Sequence, residues 1–285
     1  MKKQAIIIQC HNKPEQINKL ISVLPDNRFD FYIHVDKKSD IIDKIEHNSN
    51  VFFSKRIDVR WGRFSQVQAT LELFKMLDTS KYSYVHLISG NDFIIKPIEY
   101  IENFFTNNST EYIQCVKLPE ESTWTYGGLD RVKVWYPQFI IRRPKSTFFR
   151  FIRILLREFV MRTKVFQRKK TPVKTFYGGS SWFSLTGDCV AWIKEYVKSN
   201  PEYINFFKHG VCIDEVFFST LVRISPYRDN IANRNLVYMR WGESTTGGPA
   251  ELKPEHIQDM LASDCIFARK FTDIETIEAL CRQIF

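Results

Sequence analysis

The sequence predicts an α/β protein with a mostly parallel central sheet and helices on both faces. Over the first 115 residues, short apolar runs alternate with longer runs that carry apolar residues at helical spacing, an order typical of parallel sheets. Polar residues come directly after several predicted strands, at the edge where such sheets bind ligands. With 285 residues, of which 44% are hydrophobic and 15% aromatic, the chain is long enough for one large domain with a substantial core.

Each predicted element follows from a local pattern. Strands are predicted where apolar runs are short, at Ile6–Gln9, Phe31–Val35, Val51–Phe53, Tyr84–Ile88, Tyr112–Val116, Ser181–Ser184 and Leu236–Met239. Helices are predicted where apolar residues recur at helical spacing, at Pro14–Leu24, Ser65–Leu77, Ile98–Phe105, Gly187–Lys198, from about Asp214, at Pro254–Leu261 and from about Asp273. Because the sequence contains no internal repeat and no low-complexity linker, we expect a single domain over residues 1–285 with an insertion at about 142–176.

The insertion carries most of the positive charge of the chain. Residues 142–170 contain eleven lysines and arginines against one acid, a local charge of +10 in a chain whose net charge is +9. Arg150, Arg153 and Arg157 fall on one side of a predicted helix, and the apolar residues on the other side are Phe148, Phe149, Ile152, Leu155, Leu156, Phe159 and Val160. Such a helix either lies on an anionic membrane surface or packs its apolar face on the protein. Nucleic-acid binding is disfavoured, because no nucleic-acid-binding motif accompanies the charge.

The sequence lacks the motifs of several large enzyme classes. Gly-rich phosphate loops, the zinc-protease motif and the nucleophile-elbow motif are all missing. Asn91-Asp92 stands where many metal-dependent sugar transferases carry Asp-x-Asp, so neither a metal nor another cofactor is expected. The six cysteines show no close pairing, which is typical of reduced thiols.

The hydropathy pattern predicts a cytoplasmic protein. No run of about 18 apolar residues is present, which argues against a membrane span. The apolar run after the first residues is interrupted early and is too short for a signal peptide. If the basic helix binds membrane, the protein is expected to be peripheral on the inner face of the cell membrane.

Three polar groups and one tryptophan are candidate functional residues. Asp214 and Glu215 open an apolar helical run, so Asp214 is either an N-cap beside a solvated Glu215, or one of the two projects into a cleft as a base. Arg269-Lys270 is either a solvated pair or a binding site for a pyrophosphate. Asp36, after the second strand, either caps a turn or holds a base or ribose hydroxyl. Trp182 either stacks on a sugar ring or packs in the core.

Six stretches, in this order and spread over nearly the whole chain, resemble the core-2/I-branching β-1,6-N-acetylglucosaminyltransferases and the related peptide O-xylosyltransferases. They are Ile33–Ser39, Val59–Ala69, Leu87–Lys96, Gly179–Thr186, Asp214–Thr220 and Phe267–Phe271. The resemblance implies a GT-A-type glycosyltransferase fold. It also implies inverting, metal-independent transfer of a sugar, most often N-acetylglucosamine, from a UDP-sugar to a hydroxyl of a glycan acceptor.

The resemblance also implies roles for individual residues. The catalytic base of the family matches Glu215, and the lysine that binds the donor diphosphate matches Lys270, with Arg269 beside it. Asp36 matches the aspartate that binds the donor nucleotide, and His11 after the first strand is expected beside it. The expected acceptor-binding residues are Asp92, Trp182 and Asp214.

Some features depart from the family pattern. A second phosphate-binding arginine is expected upstream of the last motif, where this chain reads Gly247–Lys253, so Arg240 or Lys253 is the candidate substitute. We expect no counterpart in this sequence to the disulfides and the membrane anchor of the animal enzymes. These departures fit a bacterial enzyme of surface polysaccharide synthesis that reaches a lipid-linked acceptor through the basic helix. The alternative is a non-catalytic, membrane-surface protein that binds a sugar or a nucleotide.

Overall fold

The computed structural model describes residues 2–137, 139, 146–242 and 248–285. Its strands are β1 (Lys3–Cys10), β2 (Phe29–Val35), β3 (Val51–Phe53), β4 (Tyr82–Ser89), β5 (Asp92–Ile94), β6 (Val116–Leu118), β7 (Phe176–Gly178), β8 (Phe183–Thr186), β9 (Val237–Met239) and β10 (Phe267–Arg269). Its helices are α1 (Pro14–Val23), α2 (Phe64–Met76), α3 (Ile98–Phe105), α4 (Asp130–Lys133), α5 (Thr147–Thr163), α6 (Gly187–Ser199), α7 (Pro201–Phe207), α8 (Asp214–Ile224), α9 (Ile257–Ala262) and α10 (Ile274–Ile284).

A five-stranded sheet with the order β3-β2-β1-β4-β8 forms the centre of the molecule. The first four of these strands run parallel, and β8 is antiparallel to β4. Side chains of β1 point alternately to two apolar clusters, with Ile6 and Ile8 packed on the side of α1 and α10. Ala5 and Ile7 pack on the side of α2, α6 and α8. The predicted α/β fold, with a mostly parallel sheet covered on both faces, is confirmed.

A second, smaller sheet lies next to the carboxyl ends of the central strands. Its order is β5-β10-β9, and its antiparallel pairing of β5 with β10 places Asp92 opposite Arg269. Since β5 begins three residues after β4 ends, this sheet lies directly beyond the carboxyl end of the central strands. The short sheets thus bring the last motif of the chain to the edge where α/β sheets bind ligands.

The prediction of a strand at Tyr112–Val116 is wrong in its bounds. Tyr112 exchanges both backbone hydrogen bonds with Ser184 as an isolated bridge, and the next strand is β6, which pairs with β7. The predicted helix Pro254–Leu261 is a 3₁₀ turn over Pro254–His256 that continues into α9. In both places the backbone hydrogen-bonding pattern changes part-way along a segment, and the spacing of its apolar residues does not indicate where.

The predicted basic helix is present as α5, which begins after its N-cap Ser146. Residues 142–145 of the proposed insertion lie outside the described residues. The six cysteines carry free thiols. In the part of the chain that the structure describes, no helix has both the length and the apolar composition needed to cross a bilayer.

Candidate active site

Helix α8 presents two adjacent carboxylates that point in different directions. The helix begins at Asp214, and its N-cap residue is Ile213, which makes no side-chain cap. Of the two alternatives that the sequence leaves open, the one in which Asp214 is the N-cap is therefore wrong, because Asp214 and Glu215 are the first two residues of the helix. At these positions the free N–H groups and the helix dipole stabilise negative charge.

The carboxylate of Asp214 organises two loops. Ser181 Oγ donates a hydrogen bond to Asp214 Oδ2 at 2.8 Å, and Gln66 Nε2 donates to the same oxygen at 3.2 Å. Gln66 Oε1 in turn accepts from the backbone N–H of Gly62 at 2.6 Å. The other oxygen, Asp214 Oδ1, is buried and has no partner among the described residues. Burial, and then the adjacent charge of Glu215, raises the pKa of Asp214 to about 6.

The carboxylate of Glu215 is oriented by an ion pair. Glu215 Oε2 accepts a hydrogen bond from Arg131 Nη1, which also donates to the carbonyl oxygen of Cys212 at 3.2 Å. The guanidinium of Arg131 stacks on Trp124, with its carbon 3.6 Å from the ring centroid. Among the described groups, none donates a hydrogen bond to Glu215 Oε1. This oxygen is therefore available to accept a proton.

Strand β7 fixes the backbone of this region. The N–H of Gly179 donates to the carbonyl oxygen of Glu215 at 2.8 Å. A Cβ on the neighbouring Gly178 would lie 2.6 Å from the Trp124 ring. The absence of a side chain at Gly178 thus lets the strand, the tryptophan and the first turn of α8 pack together.

Glu215 faces a cavity of about 350 Å³ that several elements line together. Asp214, Trp182 and Arg269 also line this cavity, together with Trp61, Gln66, Gln114, Trp124, Gly179, Ser180, Ser181, Met239, Trp241, Gly248 and Pro249. The Arg269 guanidinium carbon lies 4.3 Å from the centroid of one Trp182 ring. A carboxylate, a cation and aromatic faces therefore border one space.

The carboxylate of Asp92 lies beside the guanidinium of Arg269. Arg269 Nη1 lies 3.6 Å from Asp92 Oδ1, and the carboxylate also accepts hydrogen bonds from the Ser89 N–H and Oγ at 2.8 and 2.7 Å. Burial raises the pKa of Asp92, and the positive charge of Arg269 opposes that shift. The Asp92 side chain is 0% exposed, so it anchors Arg269 in this structure. Contact between Asp92 and an acceptor stays a prediction, and it would require the carboxylate to be uncovered.

The remaining expected donor-binding residues lie outside the described lining of this cavity. Asp36 follows β2, and its carboxylate accepts hydrogen bonds from the Lys38 N–H and Nζ at 2.9 and 2.8 Å. The carbonyl oxygen of His11, after β1, accepts from Ser39 Oγ at 2.8 Å. Lys270 follows β10, and its carbonyl oxygen accepts from the Leu252 N–H at 2.9 Å. Asp36 and His11 lie at the carboxyl ends of neighbouring strands, as the sequence predicts.

The candidates for a second phosphate-binding cation differ in their surroundings. Arg240 Nη1 pairs with Asp259 Oδ2 at 3.0 Å, whereas Lys253 is exposed. Gly247, in the departing motif, lies outside the described residues. Across the described ranges, no three His, Cys, Asp or Glu side chains are grouped as metal ligands would be.

Sequence reasoning missed three residues of the site. Arg131 orients Glu215, Gln66 holds Asp214, and Ser181 donates to Asp214. Gln66 and Ser181 lie within the motifs that carry the family resemblance, so their position gave a signal. Arg131 lies in a short helix without a local pattern, and no signal in the sequence singles it out.

Comparison with known proteins places the chain in a protein family. The family described as Core-2/I-Branching enzyme matches residues 8–261, and the chain belongs to this family. It is similar to Xylosyltransferase oxt of Drosophila pseudoobscura pseudoobscura, with 22% identity over 287 aligned positions. That alignment covers 91% of this chain and 30% of the relative. The apo crystal structure of mouse Xyloside xylosyltransferase 1 aligns with a TM-score of 0.38 and 9% identity, over 97% of this chain and 99% of that chain.

The raised pKa of Asp214 predicts a pH-dependent cost to stability. The folded-state pKa of Asp214 is about 6, against an ordinary value of 3.8. The protonated carboxyl therefore contributes to the stability of the fold at low pH, and this contribution is lost as the pH rises from about 4 to about 6. Asp214→Asn removes it, so the variant should gain about 2 kcal/mol relative to the wild type between pH 4 and pH 7. Urea unfolding of both proteins at the two pH values measures the difference.

The matched control for this measurement is Asp229→Asn, at an aspartate whose side chain is 87% exposed. Groups common to the compared proteins cancel, so the control should follow the wild type at both pH values. A difference between wild type and Asp214→Asn that is the same at pH 4 and pH 7 would contradict the prediction.

Proposed function

We propose that the protein transfers a sugar from a UDP-sugar to a hydroxyl of a glycan acceptor, with inversion at the anomeric carbon and without a metal ion. The observation that carries the proposal is the single cavity that holds both the Glu215 carboxylate and the Arg269 guanidinium. A base for the acceptor and a cation for the leaving group are the two groups that such a displacement needs. We propose N-acetylglucosamine as the donor sugar and a GT-A-type fold as the scaffold.

Glu215 is the general base in this proposal. Its Oε1 accepts the proton of the acceptor hydroxyl while the hydroxyl oxygen forms a bond to the anomeric carbon. The bond between that carbon and the UDP oxygen breaks at the same time, on the opposite face of the sugar. Arg131 holds the other oxygen of Glu215, so the base is oriented before the acceptor binds.

Arg269 and Lys270 stabilise the departing UDP. Negative charge develops on the diphosphate as its bond to the sugar breaks, and fixed cations lower the energy of that state. Arg269 is prepared for this role, because Asp92 and Trp182 hold it and its Nε and Nη1 have no hydrogen-bond partner among the described residues. We assign the nucleoside to the sheet edge at His11 and Asp36, which follow β1 and β2.

Trp182 and Asp214 are proposed to border the acceptor. The Trp182 ring offers an aromatic face on which a sugar can stack, and Asp214 positions Ser181 and Gln66 in the cavity wall. We propose that the acceptor is a glycan or a lipid-linked oligosaccharide of bacterial surface polysaccharide synthesis. Asp92 can join this set only if it is released from Arg269.

Replacing the base should abolish transfer without weakening donor binding. Glu215→Gln keeps the size of the side chain but cannot take a proton, so kcat should fall by about 10²- to 10⁴-fold. The dissociation constant for UDP should change by less than about twofold, since the diphosphate is held elsewhere. Coupled detection of released UDP and calorimetric titration with UDP measure the two quantities.

The control for this variant is Glu195→Gln, at a glutamate whose side chain is 68% exposed on α6. It should retain full turnover. Turnover of Glu215→Gln within a few fold of the wild type would contradict the assignment of the base.

Removing the cations, in contrast to removing the base, should weaken the binding of UDP. Lys270→Ala and Arg269→Gln each remove a charged donor to the diphosphate, so each should weaken UDP binding by about tenfold or more. Lys198→Ala, at an exposed lysine of α6, is the control and should bind UDP as the wild type does. An unchanged dissociation constant for UDP in Lys270→Ala would remove that residue from the donor site.

A specific observation also favours attachment to a membrane surface. On the outward side of α5, the exposed fractions of Phe148, Phe151, Leu155 and Phe159 are 65, 57, 51 and 50%. Burying such side chains would stabilise a monomer. We propose that this side of α5 lies on the inner surface of the cell membrane. Lysines and arginines of the same segment would then contact anionic lipid headgroups. The same element can serve a non-catalytic sugar- or nucleotide-binding protein, which would release no UDP from a sugar nucleotide.

Co-sedimentation with vesicles tests the membrane proposal. The wild type should bind vesicles of phosphatidylglycerol and phosphatidylcholine more tightly than phosphatidylcholine alone, and added salt should weaken that binding. Phe151→Ser with Phe159→Ser should lose most of the binding, because two of the three exposed phenylalanine rings on this side of α5 are removed. Equal recovery of wild type and variant in the pellet would show that the helix is structural.

A further inference from the structure

A second cavity, of about 850 Å³, adjoins the one that holds Glu215. The two cavities share Trp61 and Trp124 in their walls. The wall of the larger cavity carries five arginines, which come from the start of α2, from α4 and from α5, namely Arg63, Arg131, Arg150, Arg153 and Arg157. Asp130 is the one acid among the described residues of this wall. We call this space the arginine chamber.

Most of these arginines are not neutralised within the protein. Arg157 pairs with Glu158 at 2.9 Å and approaches Asp130 at 3.9 Å, and Arg131 pairs with Glu215. The other three, Arg63, Arg150 and Arg153, have no acidic partner among the described residues. Like charges that line one space repel each other, so an anion between them would stabilise the chamber.

Arg63 gives an independent indication of a ligand. Its residue is only 6% exposed, and its Nε and Nη1 are buried without a hydrogen-bond partner among the described residues. A buried cation without a partner is costly, and burial together with the nearby charge of Arg153 lowers the pKa of Arg63 to about 10. Arg63 is also the N-cap residue of α2, so the positive end of a helix adds to the charge.

The chamber is linked to the proposed base through the backbone. The carbonyl oxygen of Gly62, beside Arg63, accepts a hydrogen bond from the Cys212 N–H at 2.7 Å. Arg131 lines the chamber and contacts Glu215, which lines the other cavity. Because the two cavities adjoin, an acceptor whose hydroxyl reaches Glu215 in the smaller cavity could place an anionic group in the chamber. Of the two cavities, Arg269 lines only the smaller one.

We propose that the arginine chamber binds a phosphate or carboxylate group of the acceptor, so that the enzyme glycosylates anionic acceptors. This inference rests on the proposed glycosyl transfer and names the substrate class of that same site. Guanidinium groups suit both anions, because they donate paired hydrogen bonds to two oxygens at once. The phosphate of a lipid-linked glycan and the carboxylate of an acidic sugar are the two sources.

The test measures binding of inorganic phosphate, inorganic pyrophosphate and D-glucuronate by calorimetry in saturating UDP, which occupies the donor site. Wild type should bind at least one of these probes under that condition. Arg153→Gln should weaken the binding by about tenfold or more, since a charged hydrogen bond is lost. Tighter binding of the phosphates would point to a glycosyl phosphate, and tighter binding of glucuronate to an acidic sugar.

The control is Arg162→Gln, which removes the same charge from α5 at an exposed arginine that pairs with Glu158. It should bind the probes within about twofold of the wild type. Equal weakening in Arg153→Gln and Arg162→Gln would overturn the proposal, as would displacement of every probe by UDP or the absence of binding to the wild type. Arg63→Met, which removes the buried cation, should also lose probe binding while raising the thermal midpoint in phosphate-free buffer.

These outcomes are separate from those for glycosyl transfer itself. A protein that binds a probe in saturating UDP but transfers no sugar would contradict the proposed function and leave the chamber assignment standing. A protein that transfers sugar equally well to neutral acceptors and to their phosphorylated or uronic-acid counterparts would contradict the chamber assignment alone.

Discussion

The ion pair between Arg131 and Glu215 connects two parts of the chain that are 84 residues apart, and both cavities depend on it. Arg131 stacks on Trp124 on one side and holds Glu215 on the other. Without this contact, the first turn of α8 would have a carboxylate with no fixed direction. With it, one oxygen of Glu215 is held and the other faces the space that Arg269 borders.

The two adjacent carboxylates of α8 have different surroundings, and we propose different roles for them. The Glu215 side chain is 31% exposed and lines the smaller cavity. Asp214 reaches inward to Ser181 and Gln66, and its burial makes the charged form costly. In the proposed enzyme, Asp214 therefore shapes the walls of the cavity, and Glu215 takes part in the reaction.

The fold and part of the site could be predicted, because their signals are local. The alternation of apolar and amphipathic runs is enough to predict a parallel sheet, and the motifs around Asp214 and Arg269 are continuous in sequence. The sequence left open whether Asp214 is the N-cap or part of the first turn, because an Asp before an apolar run is suited to both positions. Strands β5 and β10, of three residues each, were not predicted.

The rest of the site depends on tertiary packing. Arg131 and Arg63 become important because α4 and the start of α2 meet beside α8, and no spacing within either segment indicates that meeting. The basic helix shows the same limit, since its periodicity predicted an amphipathic helix but not which face is covered. Arg150, Arg153 and Arg157 line a cavity while Phe148 and Phe159 stay exposed, the reverse of an ordinary surface helix.

The most direct measurement is the release of UDP from UDP-GlcNAc, UDP-Glc, UDP-Gal and UDP-Xyl by the purified protein in EDTA. Because Arg269 and Lys270 are proposed to stabilise the leaving diphosphate, one of these donors should turn over at a rate that added Mg²⁺ or Mn²⁺ does not raise. Turnover that occurs only when a divalent metal is added would contradict stabilisation of the leaving group by these two side chains.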